Sequence, residues 1–294
     1  MELIGKVAEE KDLGLFVDYL NHFHNPSLFD LGDSPGQLLQ EIIGLARENR
    51  LYRRFEIKDK GKLREISVPN KILEKFILNY ITPLINKTQV HRCCHGGVKS
   101  EEAWTPKKSL ESHLPCKSAL SFDLKSAFKN TSYARVYELF YNCLDFFEQE
   151  ERKKFSEMLS FLCTVNYSEA RGLPQGAGLS IALFNRILYP LDELLFEKCE
   201  EKSLKYSRWV DDITITSPTE IDLRYMLGAA ALADRMFGLS RDKLHFQQSF
   251  PIYLLGHKII ENSVIKNSKE ERTQNKVKPL DFSVFEKINY EGWV

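Results

Sequence analysis

The stretch YSRWVDDITIT, Tyr206 to Thr216, constrains the fold of this chain more than any other feature. Aromatic and β-branched residues give it strand propensity on both sides, yet two adjacent aspartates interrupt its centre, and Asp is depleted from strands. Two short strands joined by a tight turn at the aspartates reconcile the propensity with the interruption. Neighbouring carboxylates repel when both are ionised, so such a turn calls for positive charge close by.

The elements around this hairpin fall into an order. SALSFD, Ser118 to Asp123, is a short apolar run ending in an acid, and Ser132 opens a helix carrying Val136, Leu139, Phe140, Cys143 and Leu144. A second helix covers Glu151 to Val165, and a long one starts near Leu179 after the loop RGLPQGAG, with a bend expected at Pro190. After the hairpin come a helix from about Ile221 to Phe237 and short strands around Leu244 to Phe246 and Tyr253 to Ile260. Strand, helices, hairpin, helix, strand is a split βαβ pattern of the ferredoxin-like kind. In it Asp123, at a strand end, converges with Asp211 and Asp212 at the hairpin tip. Three carboxylates together are costly without cations, whereas two Mg²⁺ ions would bridge and neutralise them.

Upstream, Ser34, Pro35 and Gln37 provide an N-cap, a first helical position and a capping box, and Leu38, Ile42, Ile43 and Ala46 form an apolar stripe. In RRFEIKDKGKLREISVP, Phe55 and Ile57, then Ile66 and Val68, alternate with polar residues around a turn at Asp59 to Gly61, which reads as a two-stranded ribbon with a basic tip. Asn70 caps a helix with Leu73, Phe76, Ile77, Tyr80, Ile81, Leu84 and Ile85 at helical spacing, and Pro83 predicts a kink or an early end.

With 294 residues, 43% of them hydrophobic, the chain is long enough for one large or two modest domains. Lys plus Arg and Asp plus Glu both number 41, so a nucleic-acid partner has to be held by local basic patches. Between Arg47 and Lys75, ten basic residues face five acidic ones. The N-terminal MELIGKVAEEKDLGLF lacks a signal-peptide pattern and no window spans a bilayer, which predicts a soluble, cytoplasmic protein with no membrane partner. Six cysteines without a secretory signal read as free thiols. His91, Cys93, Cys94, His95, His113 and Cys116 are conceivable zinc ligands, but a paired CxxC spacing is missing.

From about Arg53 to Ile260 the chain resembles the reverse transcriptases, particularly the bacterial retron, group II intron-like and phage-defence groups. SFDLKSAF is similar to the first palm motif, RGLPQGAGLSIALFN to the substrate-binding motif and YSRWVDDITIT to the paired-aspartate hairpin. GKLREISVP is similar to the fingers motif and YLLGHKII to the primer-grip hairpin. The resemblance implies an α+β right-hand polymerase with fingers and a ferredoxin-like palm of antiparallel sheet plus helices, the thumb rudimentary or absent. On that reading residues 1–50 are an N-terminal helical segment, 51–118 the fingers and 119–262 the palm, with 150–178 returning to the fingers. Residues 263–294 then stand in place of a full thumb.

The activity implied is RNA-directed DNA polymerisation by two-metal phosphoryl transfer. Asp123, Asp211 and the backbone carbonyl of Leu124 are the implied metal ligands, with Asp212 a weaker third carboxylate; the cofactor is two Mg²⁺ ions, with Mn²⁺ as substitute. Lys62 and Arg64 would hold the triphosphate, where a forked guanidinium suits phosphate oxygens. Phe128 falls where the family keeps an aromatic gate against the 2′-hydroxyl. Gln175 would contact the nucleotide, and Gly176 would let the backbone approach the template. Lys243 lies within about a residue of the lysine that acts as general acid toward pyrophosphate.

The implied partners are an RNA template, in particular a dedicated noncoding RNA, a DNA primer or product and deoxynucleoside triphosphates, with a protein partner or second copy completing the cleft. Two other readings stand beside this one: a template-independent or protein-primed polymerase of a defence system, and a catalytically silent RNA-binding subunit. The sequence departs from the family where Trp209 and Val210 replace the usual tyrosine and alanine, and where Ile181 follows Ser180 in place of proline.

Overall fold

The computed structural model describes residues 35–59, 61–98, 104–168, 170–268, 277, 279 and 280. The Ser34 cap therefore lies outside the described residues, as does most of the segment after 268. In chain order the elements begin with α1 (Pro35–Arg47), β1 (Tyr52–Asp59), β2 (Lys62–Pro69), α2 (Lys71–Phe76), a π-turn (Ile77–Ile81), α3 (Thr82–Ile85) and α4 (Pro106–Glu111). There follow β3 (Ser118–Asp123), α5 (Ala127–Asn130), α6 (Tyr133–Cys143), α7 (Gln149–Leu162), β4 (Val165–Asn166), β5 (Arg171–Gly172), α8 (Gly178–Ile187) and α9 (Tyr189–Glu201). The remainder is β6 (Lys205–Trp209), β7 (Asp212–Ser217), α10 (Leu223–Phe237), a 3₁₀ turn (Arg241–Lys243), β8 (His245–Gln247), β9 (Ile252–Leu254), β10 (His257–Ile260) and β11 (Ser263–Lys266).

These elements divide into two compact units, one holding residues before 90 together with 128–187, the other holding 90–127 and residues from 188 onward. In the first unit β1 and β2 form the expected antiparallel ribbon, with Phe55 opposite Ile66, Ile57 opposite Arg64 and Asp59 opposite Lys62. Leu38, Leu39, Ile42, Ile43 and Ala46 are buried along α1. Asn70 caps α2, its side chain accepting from the Ile72 N–H at 3.1 Å. Pro83 has no N–H and its ring collides with the carbonyl four residues back in a regular helix. The chain widens just before it, the Thr82 N–H donating to the Ile77 carbonyl, and the helix stops at Ile85. Helices α6 and α7 bury Val136, Phe140, Phe155 and Leu159.

The second unit is built on a four-stranded sheet in the order β6-β7-β3-β8, every neighbouring pair antiparallel. Counted along the chain from β3, this is the ferredoxin-like order. A further antiparallel sheet, β9-β10-β11, shares a buried cluster of Leu110, Cys116, Ala119, Ile252, Leu254, Ile259 and Val264 with α4 and β3. The long helix expected through Pro190 is two helices, because Pro190 occupies the first turn of α9, where its missing N–H costs nothing. Helix α4, too short for periodicity to reveal, starts at Thr105, whose hydroxyl accepts from the Lys108 N–H at 3.1 Å.

Candidate active site

Strand β3 ends at Asp123, which is 4% exposed and directly opposite Asp212, the first residue of β7. Opposed residues of an antiparallel pair point to the same face with Cβ atoms about 4.5–5.5 Å apart, so register alone sets two carboxylates side by side. Asp212 also faces Trp209 across the hairpin, leaving Val210 and Asp211 as a two-residue loop. Such loops require positive φ and favour Gly, Asn or Asp. Here Val210 takes φ +59°, a conformation that costs roughly 1–3 kcal/mol for a β-branched residue. The Asp211 carbonyl accepts from the Leu124 N–H at 3.0 Å, tying the loop to the residue after Asp123.

The segment after α10 closes the other side. Gly238 ends that helix at φ +76°, the Lys125 N–H donates to the Gly238 carbonyl at 3.1 Å, and the Ser240 N–H donates to the Asp123 carbonyl at 2.9 Å. This brings the 3₁₀ turn over β3, and the Lys243 ammonium forms an ion pair with the Asp123 carboxylate. A cation thus stands where the aspartates of the sequence called for one.

Among the described residues, no three His, Cys, Asp or Glu side chains form a ready-made metal cluster. The oxygen groups gathered at this point are the carboxylates of Asp123 and Asp212, opposed across β3 and β7, with Asp211 next to them in the loop. An all-oxygen set suits Mg²⁺ or Mn²⁺, and the Lys243 ammonium on Asp123 is the cationic stand-in that the donor chemistry favours.

Beneath the hairpin lies a charged assembly that the sequence reading did not identify. Arg208 and Asp192 are fully buried, with guanidinium Nε and Nη2 donating to the two Asp192 oxygens at 2.8 and 2.6 Å. Burial works against the guanidinium charge, but Asp192 outweighs it and the pKa rises. The third nitrogen, Nη1, donates to the Val210 carbonyl at 2.6 Å, and the Tyr206 hydroxyl donates to Asp192 at 2.7 Å. The Arg208 backbone bonds in parallel fashion to residues 93–95, its N–H donating to Cys93 at 2.9 Å and its carbonyl accepting from His95 at 2.8 Å. Farther down the hairpin the buried His113 ring bridges Thr216 and Ser207 hydroxyls at 2.8 and 2.6 Å, and burial pushes its pKa down to about 3.

The groups considered for zinc take part in separate contacts: His91 with the Cys93 thiol, His95 with Ser109, His113 as above, and the Cys94 and Cys116 thiols with the Gly96 and Ser118 carbonyls. All six cysteines are free.

The remaining candidates belong to the first unit. The Gln175 carbonyl accepts from the Ser67 N–H of β2 at 2.8 Å, and its N–H donates to the Tyr167 hydroxyl at 3.3 Å. Gly176 has φ +96°, and a Cβ there would lie 2.6 Å from Ile66 Cγ2, so this loop and the ribbon touch at a position that excludes a side chain. Ile66 and Arg64 lie on one ribbon face, because residues two apart on a strand point the same way. Lys62 opens β2 opposite Asp59. Phe128 is half-buried, its ring 5.4 Å from that of Phe184, and its carbonyl accepts from the Leu173 N–H at 2.9 Å. No helix of the described residues is long and apolar enough to cross a membrane.

A family model described as "Reverse transcriptase (RNA-dependent DNA polymerase)" matches residues 57–259. The chain is 27% identical over 231 residues to the Retron Mx65 reverse transcriptase of Myxococcus xanthus, a match covering 74% of this chain and 53% of that protein. It spans about half that relative's length. Apo telomerase from Candida tropicalis, truncated from its C-terminal domain, superposes with TM-score 0.51 at 15% identity, over 74% of this chain and 55% of the other. Telomerase from Candida albicans, in complex with a TWJ fragment of telomeric RNA, gives 0.50 at 12%, over 72% and 46%. At such identities the likeness is one of fold: helices and antiparallel sheets arranged as polymerase fingers and palm.

Proposed function

The chain belongs to the reverse transcriptase (RNA-dependent DNA polymerase) family, and from that premise we propose that it is an RNA-directed DNA polymerase extending a primer 3′-hydroxyl with deoxynucleotides. The observation that carries the proposal is the register match of Asp123 with Asp212 beside Asp211, with a lysine cation on Asp123. The unit containing β3, β6, β7 and β8 is read as the palm, and the unit containing the β1–β2 ribbon as the fingers, including the returning segment 150–178.

Asp123 and Asp211, with the Leu124 carbonyl, would hold two Mg²⁺ ions, and Asp212 would contribute more weakly. When bound, such ions favour the alkoxide form of the attacking hydroxyl and neutralise charge on the departing pyrophosphate. The reaction joins the 3′-oxygen to the α-phosphorus and breaks the bond to the pyrophosphate oxygen. Lys243, already at the Asp123 carboxylate, would supply the proton that the leaving group takes up. Lys62 and Arg64 would grip the triphosphate, Gln175 and Gly176 would seat the nucleotide and template, and the Phe128 ring would exclude a 2′-hydroxyl. On this reading the template is a dedicated noncoding RNA and the enzyme takes part in antiphage defence in the cytoplasm, while the likeness to a retron reverse transcriptase supports the retron-like assignment itself.

Incorporation of labelled deoxynucleotides on a primed RNA template with Mg²⁺ tests the proposal, comparing wild type with Asp211→Ala plus Asp212→Ala. Extension by the wild type alone supports it. Equal product from both proteins places the chemistry elsewhere, and product lacking the template's complement favours untemplated synthesis.

A further inference from the structure

We propose that Arg208, held by Asp192, is a positioning residue that clamps Val210 in its left-handed conformation and thereby sets where Asp211 and Asp212 stand. The inference rests on the active-site reading above and adds to it the device that fixes the hairpin.

A two-residue loop built on valine has no intrinsic reason to keep φ +59°; left to itself the residue returns to negative φ, and the turn it opens changes course. The neighbouring aspartates would move with it. The guanidinium answers that tendency with rigid geometry. Two of its nitrogens are fixed by the Asp192 carboxylate, so the third donates to the Val210 carbonyl from one direction only, at 2.6 Å. A planar fork is suited to this, whereas a lysine ammonium is a single point charge on a flexible stem. The clamp is anchored in turn: Asp192 lies on α9 and also accepts from Tyr206, while the Arg208 backbone is bonded to Cys93 and His95. Gly96 completes the back wall, since a Cβ there would meet the Val210 nitrogen at 2.6 Å. The arrangement places a buried charge pair, 0% exposed on both sides, where a purely architectural contact would be served by apolar packing.

The clamp predicts a specific suppressor. Glycine adopts positive φ without strain, so a protein with glycine at 210 has no need of the guanidinium. The experiment is single-nucleotide incorporation and thermal melting for Arg208→Lys, Val210→Gly and the pair. Arg208→Lys is expected to lower kcat about 100-fold with little change in the deoxynucleotide KM, as a displacement of about 1 Å at a reacting centre does. Val210→Gly alone is expected to cost no more than about fivefold, and to recover at least tenfold of kcat in the Arg208→Lys background while the melting temperature stays depressed. Recovery of kcat without recovery of melting separates positioning from folding. Effects that multiply independently, or activity that tracks melting throughout, overturn the proposal. Where Arg208→Lys does not fold, the same cycle uses Tyr206→Phe, which removes one hydroxyl from Asp192; a kcat loss of a few-fold, suppressed by Val210→Gly, is expected, and an unsuppressed loss overturns it. Asp211→Ala plus Asp212→Ala is run alongside. If that control is inactive and the cycle shows no suppression, the positioning role alone is wrong; if the control is fully active, both readings are.

Discussion

Substituting Gly96 by alanine probes the back wall of the hairpin with a single methyl group. The added Cβ would sit 2.6 Å from the Val210 nitrogen, 2.9 Å from the Trp209 carbonyl carbon and 2.9 Å from Val210 Cγ2. Two of these are backbone atoms, so no rotamer change relieves the overlap. Restoring ordinary contact requires about 0.8 Å of separation between residue 96 and the hairpin tip. Either the 93–96 segment retreats, loosening the bonds that join Cys93 and His95 to Arg208, or the tip moves and carries Asp211 and Asp212 with it. Overpacking of this kind costs about 1–3 kcal/mol, and a weakened backbone hydrogen bond adds about 1 kcal/mol. A shift approaching 1 Å lowers turnover by about 10²-fold, so kcat is expected to fall about 10- to 100-fold. Single-nucleotide extension and urea denaturation measure the two effects. Gly44→Ala is the reference: it sits inside α1 with nothing within 4 Å of the added Cβ, and should raise stability by about 0.5–1 kcal/mol without touching kcat. A Gly96→Ala protein with both stability and kcat within twofold of wild type would refute the reasoning.

Gly176→Ala should destabilise by about 1–2 kcal/mol and raise the deoxynucleotide KM, because its φ of +96° disfavours any side chain; Ile66→Val beside it should not restore KM, since valine keeps the Cγ2 that the added Cβ overlaps and the backbone strain remains. Phe128→Ala should weaken discrimination against ribonucleotides by roughly 10- to 200-fold in relative kcat/KM, read by competition between matched deoxy and ribo substrates. The buried His113 titrates near pH 3, well below its unfolded value of about 6.5, so the unfolded chain binds the extra proton first. Stability is therefore fully present above about pH 6.5 and falls by about 1.4 kcal/mol per unit as pH drops toward 3; urea midpoints of His113→Gln should show a shallower slope across that range.

The β1–β2 ribbon is legible from alternation around a turn, the hairpin from strand propensity interrupted by two aspartates, and the strand ending in Asp123 from a short apolar run closed by an acid, each within about a dozen positions. The Arg208–Asp192 pair was not read, although it left a trace. Asp192 lies within the stripe Leu188, Leu191, Leu195 and Cys199, all buried, and Arg208 shares the inward strand parity of Tyr206. An acid inside one apolar pattern and a cation inside another, 16 positions apart, imply a buried pair only once the two elements are known to pack together. The HRCCH cluster failed as a signal for the opposite reason: its side chains suggest ligands, but the backbone bonds of residues 93–95 to β6 are what the fold uses. At Pro83 the kink or early end that the sequence predicts takes the form of a change of helix type and a stop at Ile85, whereas at Pro190 the predicted bend is instead the start of a new helix, because a missing N–H is tolerated in a first turn.

Charge pairing also explains how a chain with no net charge is compatible with a polyanionic substrate. Arg208 is neutralised internally by Asp192, and Lys243 is set on Asp123, so cations near the hairpin compensate the protein's own carboxylates. Along the ribbon the balance differs: Arg53, Arg54, Lys58 and Arg64 are all exposed on β1 and β2, and Arg54 meets Glu65 in an exposed pair of the kind that contributes at most about 1 kcal/mol. A phosphate group competes readily for cations held that weakly, whereas it cannot compete for Arg208, which is fully buried. Among the described residues, the exposed ribbon cations are thus ones that a nucleic acid would meet on the proposed reading, whereas Arg208 is committed to holding the hairpin. Raising the salt concentration should weaken substrate binding through the first set and leave the turnover of bound complexes, which depends on the second, nearly unchanged.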